Sequence, residues 1–104
     1  NPDGVLLSRE ALSDLLVRCG RKGWLVIDEA FADCHPDHSF ADQVDDRHRL
    51  LIFRSFGKFF GLAGLRLGFV LGPRPILASL RKQPGAWPVS AAAIAIGTRA
   101  YQDI

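Results

Sequence analysis

An α/β fold is expected of this chain on three observations. Leu12, Leu15, Leu16 and Cys19 recur at helical spacing; Trp24-Leu25-Val26-Ile27 and Leu50-Leu51-Ile52-Phe53 are short continuous apolar runs, as buried strands read; and glycines stand between the helical and extended segments.

Each element follows in order. Asn1-Pro2-Asp3-Gly4 is a turn, because proline presets one backbone angle and glycine permits the next. Ser8 then caps a helix that runs to about Cys19 and is stopped by Gly20 and Gly23. The first strand ends in Asp28-Glu29. From Ala32 to His48 the chain is polar, with Pro36 and several aspartates, and reads as a loop with one helical turn. The second strand, 50–53, leads into an unusual segment, residues 54–69, dense in glycine and phenylalanine. Phe69-Val70-Leu71 reads as a third strand, broken by Gly72-Pro73. A short helix is expected from Pro75 to Lys82. A longer, Ala-rich one is expected from Ser90 to Tyr101, meeting no stop signal before Ile104. With no initiator Met at Asn1, the 104 residues are expected to be one partial domain of a longer chain.

Composition excludes several classes. A net charge of +2 with scattered basic residues gives no nucleic-acid or acidic-membrane surface. No apolar run approaches the ~20 residues that cross a bilayer, and no basic-then-apolar leader opens the chain. Two cysteines, Cys19 and Cys34, make no disulfide framework and fit a reducing, cytoplasmic setting. Cys34-His35-Pro36-Asp37-His38 has metal-ligand residue types at a spacing that matches no common zinc pattern, and reads as a solvated loop. No metal site is expected. Cys19, Trp24 and Trp87 read as packing residues, and residues 45–49 as a wet, mixed-charge surface.

Lys58 stands out for its small, apolar and aromatic neighbours. Enclosure among such groups disfavours the ammonium form and frees an amine for carbonyl chemistry. A P-loop is excluded, since Phe53 stands where its first glycine belongs and Phe59 where Ser or Thr belongs. Gly61, Gly64 and Gly68 also miss the dinucleotide-binding spacing.

Ser55-Phe56-Gly57-Lys58, with Arg66 eight residues after the lysine, resembles the attachment segment of the class I/II aminotransferases. The resemblance implies that Lys58 is the catalytic lysine, joined to pyridoxal 5′-phosphate as a Schiff base, and that Ser55 and Arg66 hold the phosphate. A guanidinium grips phosphate as a fork and a hydroxyl completes the cradle, while the intervening glycines allow close backbone approach. Asp28 resembles the aspartate that keeps the pyridinium nitrogen protonated. Asn1-Pro2-Asp3-Gly4 resembles the turn whose Asn donates to the phenolic oxygen. Phe31 stands where most members carry a Tyr with a hydroxyl on that same oxygen, leaving Asn1 as the donor in view. The fold implied is part of the large domain of aspartate-aminotransferase-like proteins, a mostly parallel sheet flanked by helices, with these residues meeting at the strands' carboxyl ends.

Within that family, Asp28-Glu29-Ala30-Phe31, the 55–58 segment, residues 61–69 and Trp87-Pro88-Val89-Ser90 are most similar to the threonine-phosphate decarboxylases of cobalamin biosynthesis. Histidinol-phosphate aminotransferases more often carry Tyr in the first motif and Ser before the lysine. The resemblance implies a small amino-acid phosphate as substrate and a homodimer in the full-length protein. The same fold also serves as the ligand-sensing part of some transcription regulators, although nothing here looks like a winged helix.

Overall fold

The computed structural model describes residues 3–83, 85 and 88–104, so Asn1 and Trp87 lie outside the described residues. Helix α1 (Arg9–Cys19) leads to strand β1 (Leu25–Asp28). Three 3-10 turns (Ala32–Cys34, Pro36–His38 and Ala41–Gln43) precede β2 (Leu50–Ser55). A fourth (Ala63–Leu65) precedes β3 (Gly68–Leu71), which is followed by α2 (Arg74–Leu80) and α3 (Ala91–Gln102).

The helix starts are set by their caps. Ser8 Oγ accepts the Ala11 N–H at 3.1 Å, and Ser90 Oγ accepts that of Ala93 at 3.0 Å. Gly20 ends α1 with φ 51°, its N–H turned back to the carbonyls of Leu16 and Val17. Contrary to expectation, α3 stops inside the chain: the Asp103 N–H closes on the Arg99 carbonyl and the two side chains pair at 3.2 Å.

The sheet of the described residues has the order β1-β2-β3. β1 and β2 are parallel, with Asp28 opposite Phe53, whereas β3 runs antiparallel to β2 and sets Gly68 opposite Ser55. The α/β class is as expected, but here one of the two pairings is antiparallel. The reason lies in the connection. Residues 56–67 hold only one 3-10 turn, too little for the crossover a parallel return needs, so the chain comes back as a wide hairpin. Between β1 and β2 the expected loop is organised by three turns rather than one, because Phe40 is drawn fully into the core.

Strand alternation divides the side chains between two faces. On one, Leu25, Ile27, Leu50, Ile52 and Leu71 pack with Leu12 of α1, Phe40 and Val44. Where that face continues past β2, Phe56, Phe69 and Tyr101 form an aromatic cluster, with Phe56 5.9 Å from Phe69 and 5.3 Å from Tyr101. Val26 and Phe53 lie on the other face and remain 55% and 46% exposed. Asp28 and Ser55 belong to this open face.

Candidate functional site

Asp28 ends β1, and Ser55 ends β2 two residues beyond Asp28's partner Phe53. Their shared parity points both to the open face, where they line a shallow cleft of about 430 Å³ with Ala30, Phe53 and Arg54. A second cleft, about 350 Å³, joins Asp28 and Phe31 to Gly4–Leu7, the end of the opening turn and the stretch after it.

Each polar side chain here keeps bonding capacity for a ligand. One Asp28 oxygen accepts the Ala30 N–H at 2.9 Å, which fixes the carboxylate; among the described residues the other has no hydrogen-bond partner. Ser55 Oγ accepts the Gly57 N–H at 3.0 Å, so its proton remains to be donated.

Lys58 opens a turn closed by the Gly61 N–H on its own carbonyl at 3.0 Å, with Gly61 at φ 65°. Its Nζ lies 5.6 Å from the Phe31 ring centroid, within reach of a cation–π contact. The expectation that flanking aromatic residues enclose this lysine is corrected: its side chain is exposed. Phe56 is taken into the core, Phe60 turns to Tyr101 at 5.0 Å, and Phe59 stands about half exposed. Desolvation of Lys58 would therefore have to come from groups other than its sequence neighbours.

Arg66 is exposed, with one guanidinium nitrogen on the Ala63 carbonyl at 3.3 Å. At φ 54° and ψ 46°, it is the single non-glycine residue in the left-handed region among the described residues. Such a backbone costs an L-residue roughly 1–2 kcal/mol. Close backbone approach was expected of all the glycines in this loop. It occurs at Gly57, where an added Cβ would lie 3.4 Å from Ala63 Cα and Ser55 Oγ, while Gly64 faces open space.

The structure thus brings Asp28, Ser55, Phe31 and Lys58 into one neighbourhood by shared clefts and a ring contact. It joins Arg66 to none of them directly, and Asn1 lies outside the described residues.

Sequence reasoning missed what lies behind these residues. On the sheet's packed face, Glu29 and Arg54 pair at 2.9 Å, and Arg54 reaches Asp33 at 2.6 Å. Glu29 also accepts the Phe40 N–H at 2.6 Å and the Ser39 hydroxyl at 2.8 Å. Tyr101 OH bridges Arg54 at 3.3 Å and Asp33 at 3.4 Å. Burial opposes the Arg54 charge, but Tyr101 and Asp33 hold its pKa above the ordinary value; burial likewise raises the Tyr101 phenol, against the pull of Arg54. The available signal was the pair of opposite charges at inward positions of two adjacent strand ends.

The α/β architecture and this set of groups suit a protein of the pyridoxal-phosphate-dependent class, and the family match places the chain there. Residues 1–104 match the family aminotransferase class I and II, and the chain belongs to it. Members of the family are enzymes that use pyridoxal 5′-phosphate. The chain is similar to a threonine-phosphate decarboxylase of Pseudomonas aeruginosa, at 45% identity over 99% of this chain and 31% of that one. It is 38% identical to a histidinol-phosphate aminotransferase of Serratia proteamaculans, over 86% of this chain and 25% of that protein. Its fold superposes on the crystal structure of the histidinol-phosphate aminotransferase from Clostridium acetobutylicum with a TM-score of 0.79 and 29% identity, covering 89% of this chain and 29% of that one. The chain therefore spans about a third or less of the length of these relatives.

The donor set fits the cofactor. A carboxylate with an open oxygen suits a pyridinium N–H, a hydroxyl with its proton free and an exposed guanidinium suit a phosphate, and an accessible primary amine suits the aldehyde. Among the described residues no helix is long and apolar enough to cross a membrane.

Proposed function

We propose that the full gene product decarboxylates L-threonine O-3-phosphate to an aminopropanol phosphate, a step of cobalamin biosynthesis, acting in the cytoplasm as a homodimer. In this reading residues 1–104 are part of its cofactor-binding large domain. The observation that carries it is the 45% identity to a threonine-phosphate decarboxylase over nearly the whole chain, against 38% over a shorter span for an aminotransferase.

Lys58 holds the cofactor through its amine. Asp28, one oxygen of which is fixed by the Ala30 N–H, would pair with the ring nitrogen, and Ser55 and Arg66 would hold the phosphate. Asn1 donates to the phenolic oxygen, and Phe31, lacking a hydroxyl, packs beside Lys58. When bound, pyridoxal phosphate supplies an electron sink for whichever substrate bond is held perpendicular to its ring. Were that bond the one to the carboxylate, CO₂ would leave and the Lys58 amine would be the group to return a proton to the α-carbon. Were it the C–H bond, Lys58 would remove that proton instead. Orientation of the substrate makes the choice.

The structural likeness to a histidinol-phosphate aminotransferase supports transamination as the second reading. Supplied with threonine phosphate and 2-oxoglutarate, the full gene product should release CO₂ in step with substrate loss and leave 2-oxoglutarate untouched. Glutamate formed at the rate of substrate loss would assign the protein to the aminotransferases. Borohydride reduction and peptide mapping should place the cofactor on Lys58; a label on Lys22 or Lys82 would refute the site.

A further inference from the structure

We propose that Arg54 is a positioning residue for the cofactor site, acting through the buried Glu29–Arg54–Asp33–Tyr101 network. The inference rests on the site roles proposed above.

Its first support is placement. Asp28 and Ser55 face the open side of the sheet, and their chain neighbours Glu29 and Arg54 turn to the packed side, where they pair at 2.9 Å. The Glu29 N–H continues the ladder by bonding the Phe53 carbonyl at 2.8 Å. The two strand ends that present the carboxylate and the hydroxyl are thus fastened to each other from behind.

The second support is reach. Asp33 begins its contacts two residues after Phe31, so its 2.6 Å bond to Arg54 fixes the turn that sets the Phe31 ring against Lys58. Tyr101 brings in α3, and its ring packs on Phe56 and Phe60, which flank Lys58 two residues to either side. One guanidinium is therefore tied to the supports of Asp28, Ser55, Phe31 and Lys58.

The third support is chemical. Two carboxylates share one guanidinium in the interior, with the Arg54 and Asp33 side chains only 11% and 5% exposed. Such a cluster is a poor way to gain stability, because well-packed apolar side chains serve as well or better. What it supplies that apolar groups do not is directional, forked fixing of several chain segments at once. A partly filled coordination, with Asp33 Oδ2 and Arg54 Nε lacking partners among the described residues, makes the geometry depend on the bonds that are present.

The experiment uses the full gene product and two variants. Arg54→Lys keeps the charge and loses the fork; Asp33→Asn keeps the shape and loses one charge. Pyridoxal phosphate dissociation is measured by absorbance titration of the cofactor-free protein, beside its melting temperature. Arg54→Lys should weaken cofactor binding on the order of tenfold or more, as loss of an orienting outer partner does elsewhere, and Asp33→Asn should weaken it in the same direction. The loss should exceed any change that the cofactor-free melting temperature accounts for. Cofactor affinity within twofold of wild type in either folded variant, even with a lowered melting temperature, would show the network to be scaffold alone and overturn the proposal. If Arg54→Lys does not fold, Asp33→Asn decides by itself. Failure of the wild-type protein to bind pyridoxal phosphate would instead overturn the functional reading on which the inference rests.

Discussion

At the scale of single residues, Phe31 stands half exposed beside Lys58. Its ring lies 5.6 Å from Lys58 Nζ, so a hydroxyl added to it would meet the open side rather than the core, within reach of the cofactor proposed for Lys58. A donor to the cofactor's phenolic oxygen stabilises the form lacking the imine proton. Phe31→Tyr in the full gene product should therefore lower the pH midpoint of the bound cofactor's visible absorbance change, by about one unit if a hydrogen bond to a charged group is gained. An unchanged titration curve would mean that Phe31 only packs. A second residue, Asp45, lies in the wet, mixed-charge surface expected of residues 45–49 and is held there by its own turn. Asp45 accepts the His48 N–H, and then that of Arg47, each at 2.9 Å, and these bonds hold its carboxyl down at about 2. A carboxyl lowered on folding adds stability above its unfolded value near 4, and that stability is lost as pH falls through about 2. Carbon-13 titration should find the Asp45 midpoint near 2, and a midpoint near 4 would contradict the turn. Asp28 and Ser55 were singled out in the sequence by family resemblance alone; that they share a face follows from strand alternation once the register is known. Glu29, Asp33 and Arg54 were not singled out, since charged residues belong outside unless a partner distant in sequence meets them.

At the scale of elements, the sequence disclosed whatever has a local cause. The cap at Ser8 and the stop at Gly20 lie where they were expected, and Ser90, expected as the first residue of its helix, caps it instead. The direction of β3 was not disclosed, because it depends on what residues 56–67 lack rather than on anything in the strand itself. Packing of α3 was equally hidden. Gly97 lies within that helix, where glycine is ordinarily a poor choice, yet it is buried. A Cβ there would strike Leu67 and lie 3.2 Å from the Phe56 ring, so the small residue lets the helix seat on the root of the lysine loop. Gly97→Val should accordingly lower stability by roughly 1–3 kcal/mol through overpacking, read as a lower melting temperature of the full gene product. A melting temperature equal to or above wild type would show that α3 does not sit against Phe56.

At the scale of the whole molecule, the question is whether the 104 residues can act alone. One face of the sheet has its own cover and the other does not: Val26 and Phe53 stand half exposed beside Asp28 and Ser55. β1 and β3 each have one neighbour in the described sheet, leaving two edges of unpaired backbone. Lys58 is exposed rather than enclosed, and a chain of this size buries too little surface to stiffen loops that depend on outside support. Relatives that share the family are about three times as long. Catalysis by orientation is demanding, since misplacement by about 1 Å can cost on the order of a hundredfold in rate. The isolated chain supplied with pyridoxal phosphate and threonine phosphate should therefore show no turnover above background, although a slow Schiff base at Lys58 remains compatible with its open side chain. Steady release of CO₂ by the purified 104-residue chain, abolished by Lys58→Ala, would show that these residues orient substrate and cofactor unaided, and that the open sheet face is no obstacle to catalysis.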